Sequence, residues 1–225
     1  MEITAIILAG GSGKRMNTDV KKQYLLLEDK PILFYSLRAF EESRATDIIL
    51  VVPEGEEESV KASIVDKYSF KKVRKVVAGG KERVDSVYNG LKAADGSSYV
   101  LIHDGARPLI KTETINMAID KVKETGACLV GVRAKDTIHI TDNDNTVKTT
   151  PERSKLFIAQ TPQCFEYKLA VSAFEKAMEG NKEGLTDDVS VVAGYTNAKI
   201  SLVEGEYTNI KITTPEDMVT AKAFL

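Results

Sequence analysis

Residues 3–16, ITAIILAGGSGKRM, pass from an almost wholly apolar run straight into a glycine-rich loop that carries two adjacent cations. A continuous run of β-branched residues is the pattern of a strand covered on both faces, not of one with a wet side. Similar runs follow at 48–53 (IILVVP), 75–79 (KVVAG), 99–103 (YVLIH) and 128–132 (CLVGV). Helical stretches separate them at 30–43, 56–68, 82–94 and 112–125. The third of these places Val84, Val87, Tyr88 and Leu91 on one face, at spacings of three and four. Gly126 closes the fourth as a C-cap. Strand and helix in alternation predict an α/β fold: a Rossmann-like, mainly parallel sheet with helices on both faces.

The pattern changes after residue 135. The stretch KDTIHITDNDNTVKTTPERSKLFIAQTPQ is polar and rich in threonine, and reads as a protruding β-hairpin arm, 136–156, with a turn near Asn143 to Asn145. A hairpin with so little apolar content does not hold itself together in water, so it must lie on its own domain or on a second subunit. α/β character resumes with a helix near 167–179, a strand at 199–205 and a final helix from Pro215. The whole, 1–225, reads as a single domain with the arm inside it.

Composition narrows the function. The chain is 43% hydrophobic and 28% charged with a net charge of −2, so no global basic field points to DNA or RNA. No apolar run approaches the ~20 residues of a membrane span, and Met1 leads directly into the first strand, so the expectation is a cytoplasmic protein without a membrane partner. Cys128 and Cys164 are too few for a disulfide framework and read as inert reduced thiols.

Open α/β sheets bind ligands at the carboxyl ends of their strands. The first strand is followed by AGGSGKRM, the third by GGKERVDSV and the fourth by DGARP, so these segments should converge on one edge. The first loop is neither of two familiar phosphate binders. A P-loop needs a hydroxyl where Arg15 stands, and a dinucleotide fingerprint needs a small residue where Met16 stands. What it offers is backbone N–H groups made accessible by glycine, and four cations within 12–23 (Lys14, Arg15, Lys21, Lys22) against one acid, Asp19. That balance suits a triphosphate whose leaving group gathers charge. Asp104, at the end of an apolar strand facing the same crevice, suits Mg²⁺, which takes one or two carboxylates plus substrate phosphates. His103 beside it should point to the other face as a core histidine. Lys211, inside the short apolar strand expected in NIKITTPED, is expensive to bury unless it meets an anion. Together these describe a site that holds Mg·NTP and acts on its phosphates.

The segments LAGGSGKRM, KKQYL, GGKERVDSVYNGL, HDGARP, KDTI, QTPQ, TDD and LVEGEYTNIKITTPED, in that order, resemble the 2-C-methyl-D-erythritol 4-phosphate cytidylyltransferase family over nearly the whole chain. The resemblance implies a fold of the nucleotide-diphospho-sugar transferase type. It implies transfer of the cytidylyl group of CTP to methylerythritol 4-phosphate with release of pyrophosphate. Carried over by position, Ala9, Gly10, Gly11 and Gly13 would line the nucleotide, and Lys14 and Arg15 would grip its β- and γ-phosphates. Lys22 and Lys211, with Arg15, would stabilise the transition state. Gly80, Lys81 and Ser86 would recognise cytosine and ribose, and Asp104 would hold Mg²⁺. Arg107, Thr137, Arg153 and Thr161 would surround the polyol phosphate together with Asp104. The arm would exchange between subunits of a homodimer, so that Thr137 and Arg153 serve the partner's site. Lys21 stands where some relatives have proline, and Thr208 where some have aspartate; the second difference leaves the metal with Asp187, Asp188 or no second acid.

Three other readings are compatible with parts of the pattern. A ribitol-5-phosphate cytidylyltransferase would share the fold and motifs. An NAD(P)-dependent reductase would use the same sheet, and a non-catalytic nucleotide-binding protein would keep the loop without the reaction.

Overall fold

The structure is a computed structural model that describes residues 1–11, 21–180 and 184–225. Among the described residues seven strands form the central sheet: β1 (Ile3–Leu8), β2 (Asp47–Val52), β3 (Val73–Ala78), β4 (Tyr99–Asp104), β5 (Ala127–Arg133), β6 (Phe157–Glu166) and β7 (Ser201–Glu204). Their order across the sheet is β7-β5-β6-β4-β1-β2-β3. All neighbours run parallel except β6, which is antiparallel to both β4 and β5.

The continuous apolar runs are buried on both faces, as their composition demands. Ala5, Ile7, Ile48, Leu50 and Leu101 pack beneath α1 (Ile32–Glu42) and α4 (Thr112–Thr125). The alternate residues Ile6, Ile49, Val51, Val100 and Ile102 pack beneath α3 (Arg83–Ala93) and α5 (Tyr167–Glu179). The sequence-predicted strands at 3–8, 48–53, 75–79, 99–103 and 128–132 lie within two residues of the observed bounds. Gly126 caps α4 at φ +79°, a backbone conformation that glycine adopts without strain.

The pattern missed two elements, and both matter to the site. β6 occupies the middle of the sheet, yet its residues 160–163 read QTPQ and look like a loop. The register slips between Ala159 and Gln163, and Pro162 sits in that slip, which is where proline is tolerated within a sheet. α6 (Asp188–Tyr195) is short and opens with a capping box in which the Asp187 carboxylate accepts the Ser190 amide at 2.8 Å. The helix expected at 56–68 divides into α2 (Glu57–Val60) and a π-helical turn, Lys61–Asp66.

The arm strands, Ile140–Thr141 and Val147–Thr149, pair antiparallel with a turn closed by Asp142, whose side chain accepts the amides of Asp144 and Thr146. Residues 135–150 are all exposed. No helix among the described residues is long and apolar enough to cross a membrane. The strand expected around Lys211 is an irregular segment that pairs with no sheet neighbour among the described residues, and α7 (Pro215–Ala223), with proline in its first turn and a Thr214–Asp217 capping box, fixes its end.

Candidate active site

The carboxyl ends of β1, β3 and β4 surround a cleft of about 300 Å³, lined by Gly10, Gly11, Lys22, Gly80, Lys81, Arg83, Ser86, Asp104 and Lys211. The glycines are there for space. A Cβ on Gly80 would stand 2.3 Å from that of Asp85, and one on Gly79 would stand 2.9 Å from the Ser86 hydroxyl. Ser86 accepts the Gly80 amide at 3.0 Å and donates to the Glu82 carbonyl at 3.1 Å, so one side chain ties the β3 turn to the start of α3. Lys22 sits on a 3₁₀ turn, Lys22–Tyr24, and donates to the Ile212 carbonyl at 3.1 Å. Ala9 lies behind the cleft: its amide is spent on the Val51 carbonyl and its carbonyl on the Gln23 side chain. Gly13, Lys14 and Arg15 lie outside the described residues.

Asp104 is the electrostatic centre. One of its carboxylate oxygens accepts Lys211 Nζ at 2.8 Å; the other faces Arg83 Nε and Nη2 at 3.4 Å. Burial pushes this carboxyl up, but Arg83, Lys211 and Arg107 outweigh it and hold it well below the usual carboxylate range. It is therefore ionised at any working pH. Its own amide donates to the Thr161 hydroxyl at 3.2 Å, so the β6 irregularity fixes the end of β4.

A second cavity of about 260 Å³ adjoins the first and is lined by Arg83, Asp104, Arg107, Gln160, Thr161, Gln163, Thr186, Asp187 and Lys211. Arg107 donates to the Asn209 carbonyl at 2.8 Å, and its buried Nε has no hydrogen-bond partner among the described residues. Arg83, Asp104 and Lys211 line both cavities and so form the wall between them.

The sequence-predicted residues thus divide. Gly10, Gly11, Lys22, Gly80, Lys81, Ser86, Asp104 and Lys211 gather in the first cavity, while Arg107 and Thr161 reach the second. Thr137 and Arg153 line neither; both are exposed on the arm, where Arg153 donates to the Lys135 carbonyl at 3.1 Å. Asp187 is spent on capping α6 and on Gln163, at 2.9 Å, and Asp188 is spent on Arg83. Among the described residues no group of three histidine, cysteine or acidic side chains could enclose a metal. His103 is fully buried with its ring 5.0 Å from that of Phe40; burial holds its imidazole down at about 3 and therefore neutral. Cys128 and Cys164 are free, buried thiols.

Sequence reasoning missed Arg83, Gln163 and Thr186. Arg83 had a signal, since it opens the helix that follows the third strand on the edge where ligands bind.

The family model for 2-C-methyl-D-erythritol 4-phosphate cytidylyltransferase matches residues 3–225. A protein of that description from Lachnoclostridium phytofermentans is 52% identical over 224 residues, 100% of this chain and 96% of its own. One from Lachnospira eligens is 48% identical over 99% of this chain and 98% of its own. Among solved structures, the 4-diphosphocytidyl-2C-methyl-D-erythritol synthase of Anaerococcus prevotii superposes with a TM-score of 0.87 at 34% identity, covering 99% of this chain and 95% of that one. The cytidylyltransferase of Thermus thermophilus superposes with a TM-score of 0.80 at 27% identity, over 99% and 98%.

Proposed function

The chain belongs to the 2-C-methyl-D-erythritol 4-phosphate cytidylyltransferase family, and from that membership we propose how the two adjoining cavities divide the work. The reaction joins CTP to methylerythritol 4-phosphate, giving 4-diphosphocytidyl-methylerythritol and pyrophosphate. CTP takes the first cavity, its base and ribose against Gly80, Lys81 and Ser86, and its phosphates along Gly10, Gly11 and the cationic loop that follows. The polyol phosphate takes the second, against Arg107 and Thr161. The observation that carries this reading is the shared wall: Arg83, Asp104 and Lys211 face both spaces, and the α-phosphorus must lie where the two spaces meet.

The nucleophile needs no base. A phosphate monoester loses its second proton near pH 6 and is already mostly charged at pH 7. The obstacle is repulsion between two anions, which positioned cations overcome by electrostatics and orientation. Lys22 and Lys211 both line the first cavity and would stabilise charge as it grows on the phosphorus oxygens.

The donor set fits Mg²⁺. The ion takes oxygen ligands and accepts a single carboxylate when substrate phosphates supply the rest, and Asp104 is ionised at the mouth of both cavities. When bound, the ion would draw charge from the triphosphate. Asp104 would then give up Lys211 to the phosphates.

A homodimer joined through the arm accounts for Thr137 and Arg153, which this chain exposes and its own cleft leaves out; they would complete the second cavity of a partner subunit. A reaction that draws on CTP belongs in the cytoplasm. The relatives speak for methylerythritol phosphate over ribitol phosphate, and for a transferase over a reductase or a silent nucleotide binder. The test is pyrophosphate release from CTP and Mg²⁺ with each polyol phosphate in turn. Faster turnover with ribitol 5-phosphate, or none with either, would overturn the assignment.

A further inference from the structure

Two acids stand side by side at the start of α6, and the structure uses them differently. Asp187 caps the helix. Asp188 is fully buried, and its carboxylate accepts Arg83 Nη1 at 2.6 Å and Nη2 at 2.8 Å. This paired contact fixes the plane of the guanidinium, which a lysine could not reproduce. Asp188 is fully buried behind Arg83 and lines neither cavity, so it does not face a metal bound in them.

The far edge of the same guanidinium is held loosely. Nε and Nη2 stand 3.4 Å from Asp104, well beyond the 2.7–2.9 Å typical of a strong charge-assisted bond. One side of Arg83 is pinned and the other faces the common wall of the two cavities, able to exchange a long contact for a phosphate oxygen. The pin is itself braced. Gln163, just past the β6 irregularity, accepts the Val189 amide at 2.8 Å and donates to Asp187, which anchors the first turn of α6 to the sheet.

We propose that Asp188 is a positioning residue for the transfer reaction: it holds Arg83 in the one orientation that presents its free edge to the phosphate passing between the cavities, and makes Arg83 a third cation beside Lys22 and Lys211. The role rests on the assignment of the two cavities given above. A buried carboxylate 105 residues away in sequence from its arginine then controls catalysis without touching substrate.

The experiment is steady-state pyrophosphate release by the purified full chain with CTP, Mg²⁺ and methylerythritol 4-phosphate, with thermal melting measured beside it. The variants are Asp188→Asn, Arg83→Lys and the double. Asp188→Asn keeps the shape and loses the charge; Arg83→Lys keeps the charge and loses the fork. Each single variant should lower kcat ~10–100-fold, the usual cost of a misplaced group, with KM for CTP nearly unchanged. The double should be no slower than the worse single, because both remove the same constraint. A lower Tm with unchanged kcat in Asp188→Asn, or losses that multiply in the double, would overturn the proposal. Should Asp188→Asn fail to fold, Arg83→Lys decides alone, and turnover within threefold of wild type would refute the role. No product from the wild-type chain would instead refute the assigned reaction, and this role with it.

Discussion

Replacing Lys211 with alanine separates two explanations for a lysine beside a carboxylate. In the first, Lys211 is a structural partner that keeps Asp104 in place. In the second, it is held in reserve for a phosphate. Lys211 Nζ lies 2.8 Å from Asp104, but 38% of the lysine side chain is exposed. The lysine end of the pair is open to solvent although Asp104 is buried, so losing the lysine should cost about 1 kcal/mol of stability. Asp104 also keeps Arg83 and Arg107 as neighbouring cations, so losing one of three leaves it ionised. Loss of a purely structural Lys211 would therefore cost little stability and leave kcat close to wild type.

A cation that meets charge developing in the transition state is worth ~3–4 kcal/mol, or ~10²–10³ in kcat. The two explanations differ by at least about 2 kcal/mol, which is measurable. Lys211→Ala should therefore unfold in urea within about 1 kcal/mol of wild type and turn over ~10²–10³-fold more slowly at saturating substrates. The concentration of Mg²⁺ needed for half-maximal rate should not rise, since Asp104 loses a competitor for the metal. Turnover within tenfold of wild type in a folded Lys211→Ala protein would refute the transition-state role.

Three further outcomes follow from the same geometry. Asp104→Ala and Arg153→Ala, each inactive alone, should regain part of the activity when co-assembled, because one mixed site then contains both wild-type residues; no recovery in a verified heterodimer would rule out an exchanged arm. His103 is held neutral in the folded chain at about 3, whereas an unfolded histidine takes a proton near pH 6.5. The unfolded state binds the extra proton, so stability falls as pH drops below 6.5, by about 2 kcal/mol at pH 5. Urea unfolding at pH 7.5 and pH 5 should show that loss in wild type and not in His103→Gln; equal losses would refute the assignment. Gly90→Ala would place a Cβ 2.5 Å from Ile6 Cγ2 where α3 crosses β1. Overpacking should exceed the helix preference of alanine and lower stability by ~1–2 kcal/mol; a raised melting temperature would show that the crossing has room to spare.

The sheet was readable because its parallel strands are buried on both faces, which forces near-continuous apolar runs such as Ile3–Leu8 and Asp47–Val52. β6 escaped for the opposite reason. Gln160, Thr161 and Gln163 hold Asn209, the Asp104 amide and the start of α6, so that stretch of a central strand is written for the site and not for the core. Asp104 was readable as a carboxylate at a strand end, and Lys211 as a cation in an apolar stretch. Arg83 carried only a positional signal, at the start of a helix on the ligand-binding edge; Asp188, the partner proposed to orient it, is joined to it by the fold and by no spacing rule. The arm was legible as a hairpin with too little apolar surface to stand by itself. In the structure it stands exposed, and in the proposed homodimer a second subunit would supply what it leans on.

The charge arrangement explains why a site with only two histidines in the whole chain suffices for this chemistry. An enzyme that must remove a proton needs a group poised near neutral pH. Here His103 is locked neutral by burial, and Asp104 is locked ionised by its cations, so neither is tuned for proton transfer. Locking is the useful property. Arg83, Lys211 and Arg107 are like charges in a small space, and Asp104 and Asp188 neutralise them while the cleft awaits its substrates. In the proposed assignment, a triphosphate arriving with a divalent ion would replace the contact that Asp104 makes with Lys211, because ion and lysine would then each gain a partner of opposite sign. It cannot replace Asp188, whose place is fully buried. On that assignment one carboxylate is exchangeable and the other permanent, and the transferring phosphorus would meet cations already aimed, whose electrostatic effect needs no further reorganisation at the moment of reaction.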